Sequence, residues 1–284
     1  TGRSMAEKAE VSVQDLFKLW RSGDADAGQA MARRFNDWYY AVATSRLGDE
    51  NARLPLEKAC AAFVTGIPVI TRAPDLVPWA HSVLKKHVHE QPRISGGDFQ
   101  NGLTGSRKPT DLLREARFHM KESHVEMLCM AYSADVSDEE LESGAEATEE
   151  GWPMALLSAR YALKRILKDT LGVGFSVVPA HPNLDCAPLP LYESDRMATD
   201  EEDSLFEQWL ITNEELCRDL AEFATFSHAL RVGALEAPRS AEVPRSRRGS
   251  RSSVFDEIRP RSSAIPRIAS AMTIVGVLLV LAVA

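Results

Sequence analysis

The sequence predicts an all-α fold, and three observations support this assignment. Apolar residues recur at helical spacing along most of the chain. No long segment alternates strictly between apolar and polar residues, apart from a possible short extended piece at 175–178. Helix-capping residues precede several of the apolar runs. The 284 residues suffice for one large or two small domains, and a hydrophobic content of 44% can build a folded core.

Residues 10–92 are predicted to form the first helical domain. Ser12 precedes VQDLFKLW and is followed three residues later by Asp15, a spacing close to that of a capping box. The sequence GDADA then begins a second helix with a wide apolar stripe. This stripe comprises Ala27, Ala30, Met31, Arg34, Phe35, Trp38, Tyr39 and Val42.

A Gly/Asn/Ser-rich linker, residues 93–106, separates this domain from a second helical domain at 107–172. In the second domain Ser137 is placed to cap the helix of DEELESGAEA. Pro153 suits the first turn of the helix that contains LLSARYALKRIL.

Residues 173–237 are predicted to be an acidic helical extension. Residues 181–237 carry 3 Lys/Arg and 13 Asp/Glu, a net charge of −10, whereas the whole chain carries −8. The extension is either a helical hairpin that packs on the second domain or an acidic lid that covers the basic face of 160–168 and competes with nucleic acid. Its PNLDCAPLPLYE run is either a polyproline-type docking site or an ordered segment that packs Leu189 and Leu191.

The end of the chain differs in composition. Residues 238–267 are rich in Arg, Ser and Pro and are predicted to be a disordered basic tether. The segment 268–284, IASAMTIVGVLLVLAVA, has no charged residue and would span about 25 Å as a helix, near the short limit for a bilayer core of roughly 30 Å. We expect a single transmembrane helix from Ile268 to Ala284, with a buried core helix or an apolar tail as the alternative. Arginines on its N-terminal flank favour a cytoplasmic location for the body of the protein.

Signatures of enzymes and metal sites are missing from the sequence. There is no GxxxxGK[ST], GxGxxG, HExxH or GxSxG motif, and the four cysteines form no CxxC pair. His87 and His89 are two residues apart, and His119 and His124 are five apart, which are poor helical spacings for a shared metal ion. We therefore expect neither an enzyme nor a cofactor.

Residues 16–49, LFKLWRSGDADAGQAMARRFNDWYYAVATSRLGD, resemble the start of a bacterial sigma factor of the extracytoplasmic-function type. In that family a first helix ends at a small-Gly-Asp turn, and a second ends in an Arg-Leu-Gly-Asp-like sequence. PLEKACAAFVTGI (55–67) stands where the family has its polymerase-binding helix, and APDLVPWAHSVLKKHVHE (73–90) resembles the next helix. The resemblance implies a sigma region-2-like domain at 10–92.

Residues 108–169 resemble the second domain of the same family. HVEMLCMAY matches its apolar helix, VSDEELESGAEA matches the first helix of a helix-turn-helix, and WPMALLSARYALKRILKD matches the recognition helix. The resemblance implies a region-4-like helix-turn-helix domain at 107–172.

The proposed recognition helix would place basic side chains against duplex DNA. The candidates are Arg160, Lys164, Arg165 and Lys168. Its N-terminal end, GWPMALL, is mostly apolar, and Glu149 and Glu150 just before it would repel phosphate. The alternative is a packed helix whose basic flank is solvated.

The first domain supplies candidates for contact with RNA polymerase or another protein partner. These are Glu57, Lys58, Phe63, Arg72 and Trp79. Aromatic and basic residues on an exposed face could also hold a melted strand, although Phe63 and Trp79 could equally belong to the core.

Two functional hypotheses follow. The first is a membrane-tethered sigma-like transcription regulator, on the cytoplasmic face of the bacterial inner membrane, whose partners would be RNA polymerase core and promoter DNA. The second is a tail-anchored adaptor that uses a sigma-like scaffold to bind another cytoplasmic protein without reading DNA. The strongly acidic total favours the second, because it argues against broad affinity for DNA phosphates. The order of the two domains favours the first.

Overall fold

The computed structural model describes residues 11–92, 107–133, 135–144, 151–176 and 186–235. The regular elements in these ranges are helices, with no β-strand among them, so the all-α prediction is confirmed for the described residues. The linker 93–106 and the C-terminal residues 236–284, which include the whole of the predicted tether and of the predicted anchor, lie outside them. No helix within the described ranges combines the length and the apolar composition needed to cross a membrane.

The first half of the described body, residues 11–92, is built on one long helix that is interrupted by a kink. Ser12 caps α1 as predicted, with its Oγ accepting a hydrogen bond from the Asp15 N–H at 3.1 Å. Asp24 caps α2 in the same way. Gly48 interrupts α2 with φ 70° and ψ 163°, a conformation that is essentially restricted to glycine, and so redirects the chain. The elements are α1 (Val13–Arg21), α2 (Ala25–Gly66), two 3₁₀ turns (Ile67–Val69 and Ala73–Asp75), α3 (Leu76–Leu84) and a π turn (Lys85–His89).

The second half of the described body contains four helices, which pack against one another through their apolar faces. Ser137 and Glu140 form a capping box at the start of α6, since each accepts a hydrogen bond from the other's backbone N–H. The elements are α4 (Pro109–Arg117), α5 (Glu122–Tyr132), α6 (Asp138–Gly144) and α7 (Gly151–Asp169).

The acidic extension consists of α8 (Pro188–Ser194), α9 (Asp200–Leu210) and α10 (Glu214–Arg231). Thr199 and Asn213 cap α9 and α10 with their side chains. The described residues contain two large apolar clusters, one in each half, and α10 contributes to both. The extension packs on the second half, as the hairpin alternative predicts, and it packs on the first half as well.

The described part of the Pro-rich run, from residue 186 onward, folds differently from a polyproline segment. Residues 188–194 are helical, Leu189 is fully buried in the first cluster and Leu191 is half-buried. The ordered-packing alternative is confirmed for these residues, and the polyproline interpretation of them is wrong.

Candidate functional site

A buried ion-pair network joins α7 to the extension. We call it the Arg160 cluster; its members are Arg160, Lys164, Glu193 and Asp219. The guanidinium of Arg160 donates to both carboxylate oxygens of Glu193, through Nε and Nη2, at 2.6 Å each. Its Nη1 donates to Asp219 at 3.0 Å, and Lys164 Nζ donates to the same carboxylate. One arginine therefore binds two carboxylates from two helices of the extension.

The surroundings of the Arg160 cluster bury its side chains. The side chains of Arg160 and Lys164 are 0% exposed. The Arg160 guanidinium lies 4.4 Å from the ring centroid of Phe223, and the Lys164 ammonium lies 4.7 Å from that of Phe175. Tyr132 donates its hydroxyl proton to Glu193 at 3.1 Å.

Neighbouring charges inside the Arg160 cluster shift the pKa values of Asp219 and Lys164 against the effect of burial. Burial opposes ionisation of Asp219, but Arg160 and Lys164 outweigh it and lower the pKa of that carboxyl. Burial lowers the pKa of Lys164, and Asp219 opposes this effect. Removing one partner of a buried pair typically costs about 3–5 kcal/mol, since the other charge stays buried without compensation.

The DNA-contact candidates thus separate into two groups. Arg160 and Lys164 are buried, which corrects the expectation that a duplex can reach them with the extension in place and the alternative that they form a solvated flank. Arg165 is exposed and Lys168 is half-buried on the same helix, so these two residues remain candidates. The correction has a physical cause: the extension supplies the carboxylates that bind the two central cations.

A second buried network joins the extension to the first half. We call it the Glu207 cluster. The fully buried carboxylate of Glu207 lies 2.8 Å from His81 Nε2 and 3.0 Å from His89 Nε2, and it accepts the hydroxyl proton of Tyr192 at 2.6 Å. Arg46 Nη1 lies 3.8 Å from it. Four elements therefore converge on one carboxylate.

These donors lower the pKa of the Glu207 carboxyl. Burial alone would raise its pKa, but the hydrogen bonds from His81 and His89, with the smaller contribution of Tyr192, outweigh burial and lower the pKa to about 2. The backbone of the same residue is also held, because Trp38 Nε1 donates to the Glu207 carbonyl oxygen at 2.6 Å.

Sequence reasoning missed the Glu207 cluster. No local pattern connects His81 and His89 with Glu207, which lies 126 and 118 residues away from them. Within the described residues, no group of three or more His, Cys, Asp or Glu side chains is arranged to hold a metal ion.

The partner-contact candidates of the first half also divide into exposed and buried residues. Glu57, Lys58 and Arg72 are exposed. Phe63 is only 2% exposed and packs against half-buried Trp79, with their rings tilted by 34° and the ring centroids 5.6 Å apart. The core alternative is therefore confirmed for Phe63, and its assignment to a contact face is wrong.

The two clusters fix the extension to both halves of the body. The Glu207 cluster holds α9 to α2 and α3, and the Arg160 cluster holds α8 and α10 to α7. At the far end of α10, His228 Nε2 lies 2.9 Å from the Thr44 carbonyl oxygen of α2. Neither cluster presents an exposed reactive side chain.

In comparisons with known proteins, no family model, no curated protein and no solved structure matches the chain.

Proposed function

We propose that this protein is a membrane-tethered, sigma-like transcription regulator whose acidic extension holds it in a closed state. The observation that carries the proposal is the pairing of Glu193 and Asp219 with Arg160 and Lys164. These two cations lie on the helix that the sigma-factor resemblance assigns to DNA contact. An extension that neutralises them prevents their access to phosphate.

The proposed partners are RNA polymerase core and duplex DNA. In the closed state Glu57, Lys58 and Arg72 stay exposed, which leaves polymerase a surface to bind. Contact with DNA requires the extension to move, since Arg160 and Lys164 become accessible only then. Residues 268–284 would keep the protein at the cytoplasmic face of the inner membrane.

Full-length chain in detergent allows a direct test. We expect the wild type to capture polymerase core and to bind duplex DNA weakly. Asp219→Asn removes one carboxylate from the Arg160 cluster and should strengthen duplex binding several-fold, with an affinity that falls between about 50 and 200 mM salt. Adding Arg165→Glu and Lys168→Glu should weaken that binding and reduce its salt dependence.

A matched control reverses two cations of the first half in place of Arg165 and Lys168. Lys18→Glu with Arg53→Glu alters two exposed cations of the first half and should leave duplex binding of the Asp219→Asn chain nearly unchanged. If neither the wild type nor Asp219→Asn binds polymerase core or duplex DNA at low salt, the regulator proposal is wrong.

A second candidate function is a tail-anchored adaptor that does not read DNA. The burial of Arg160 and Lys164 favours it, because a permanent ion-pair network would leave α7 purely structural. In that case the same experiment would show capture of a protein partner with no duplex binding by any variant.

A further inference from the structure

The helix α10 bridges the two apolar clusters of the body. Its N-terminal part places Leu216 and Leu220 in the first cluster, and its C-terminal part places Phe223 and Phe226 in the second. All four side chains are at most 5% exposed. The residues that α10 covers belong to both halves, and we call them together the α10 groove.

The same helix carries acidic residues that match cations of the α10 groove. Glu214 accepts a hydrogen bond from Arg34 Nε of α2 at 2.6 Å. Asp219 accepts from Arg160 of α7 at 3.0 Å, and Glu222 lies 3.5 Å from Lys164 Nζ of α7. The groove therefore combines an apolar floor with cations from both halves, and it is complementary to an acidic amphipathic helix.

Nucleic acid does not fit this combination. A phosphate backbone could replace the carboxylates of α10, but it would leave the apolar floor beneath Leu220 and Phe223 in water. A helix that presents both carboxylates and apolar side chains satisfies the whole surface, in the manner of helix-in-groove recognition.

Contacts that do not involve α10 hold α9 to the first half. A turn at 211–213 separates the two helices. The contacts of Glu207 with His81, and of its carbonyl oxygen with Trp38, hold α9 independently of α10. A displaced α10 would stay tethered at a high effective concentration, so closure would be rapid once a competitor leaves.

We propose that the α10 groove is a binding site for an acidic amphipathic helix of a partner protein, and that α10 is its intramolecular occupant. The partner helix would present apolar residues at the spacing of 216, 220, 223 and 226 and carboxylates at the spacing of 219 and 222. Its binding would displace α10 and open the closed state. Only this opening rests on the proposed function; the existence of the groove does not.

The test uses a fluorescein-labelled peptide of residues 212–233, under reducing conditions, and fluorescence anisotropy with the full-length chain. In the chain, Phe223→Ala with Phe226→Ala weakens the internal occupant and leaves the cations Arg34, Arg160 and Lys164 intact. This variant should bind the peptide at least tenfold more tightly than the wild type does, because the internal competitor is weaker.

A charge-reversed peptide is the matched control. It carries Asp219→Lys and Glu222→Lys, keeps every apolar residue, and should bind the variant at least tenfold more weakly than the native peptide. Equal binding of the two peptides, or no binding of either by a variant that keeps its helical circular dichroism, overturns the proposal. Global unfolding of the variant also overturns it, since α10 would then be an inseparable part of the core. None of these outcomes depends on polymerase or DNA, so this proposal and the proposed function can fail separately.

Discussion

Single buried carboxylates determine how the extension is held. Glu207 and Asp219 are both almost fully buried, yet each keeps a pKa below its ordinary value. Burial disfavours the ionised form of each, so the lowered pKa comes from the donors that surround it. Histidines and a tyrosine provide these donors for Glu207, whereas an arginine and a lysine provide them for Asp219.

The lowered pKa of Glu207 leads to a prediction about acid stability. Its folded-state pKa is about 2, compared with an ordinary value of 4.5. A carboxyl with a lowered folded-state pKa stabilises the fold above its ordinary pKa and loses this contribution as the pH falls towards the folded value. Glu207→Gln should therefore cost about 3 kcal/mol at pH 7, from about 1.4 kcal/mol per pKa unit.

Urea unfolding of the two chains at several pH values measures this contribution. The difference between wild type and Glu207→Gln should shrink as the pH falls from about 5 to about 2. Glu201→Gln, at an exposed position of the same helix, is the control and should change stability by less than about 0.5 kcal/mol. A difference that stays constant down to pH 3 would contradict the role assigned to Glu207.

At the scale of elements, close helix packing depends on small residues. Gly28 lies in the first turns of α2, where α1 crosses it and the Trp20 ring rests against its backbone. A Cβ atom at position 28 would lie 2.6 Å from Trp20 Cδ1, and Trp20 is only 3% exposed. The ring cannot move away without disturbing the core.

The packing at Gly28 reverses the usual preference for alanine in helices. Gly28→Ala would gain up to about 1 kcal/mol from helix propensity. We expect the clash with Trp20 to outweigh this gain, for a net loss of about 1–2 kcal/mol in thermal or urea unfolding. Gly174→Ala meets no atom within 4 Å and serves as the control, with a neutral or slightly stabilising effect. A stabilised Gly28→Ala protein would mean that α1 and α2 do not pack as described.

At the scale of the whole molecule, the described body is tied together by its last helices. The extension contacts α2 and α3 through Glu207 and α7 through Asp219, so the two halves share structural support. The predicted anchor, residues 268–284, lies beyond these contacts and outside the described residues. Its apolar composition alone supports the membrane assignment.

The anchor can be tested without disturbing the body. Gly276→Arg with Leu279→Arg introduces two charges near the middle of 268–284, each costing about 2.5–3.5 kcal/mol at the centre of a membrane helix. The variant should move from the membrane pellet to the supernatant, and Gly276→Leu, which keeps the segment apolar, should not. Recovery of the intact chain in the supernatant would show that the membrane assignment is wrong.

Local sequence patterns predicted most of the described helices. The caps at Ser12 and Ser137 and the helical spacing of apolar residues depend on neighbours within four positions, so they can be read directly from the sequence. The partners of Arg160 could not be predicted in the same way. Glu193 and Asp219 lie 33 and 59 residues away, and a basic residue on an amphipathic helix has the same spacing whether it is buried or exposed.

By itself, the sequence determined the helical character of the described chain and the position of its acidic extension. Helix formation and net charge follow from local residue order and composition. Only the tertiary structure decided that this extension reaches both halves, that Arg160 and Lys164 are buried and that His81 and His89 bind Glu207. These outcomes depend on which distant surfaces exclude water from one another, and that is a property of the packed molecule.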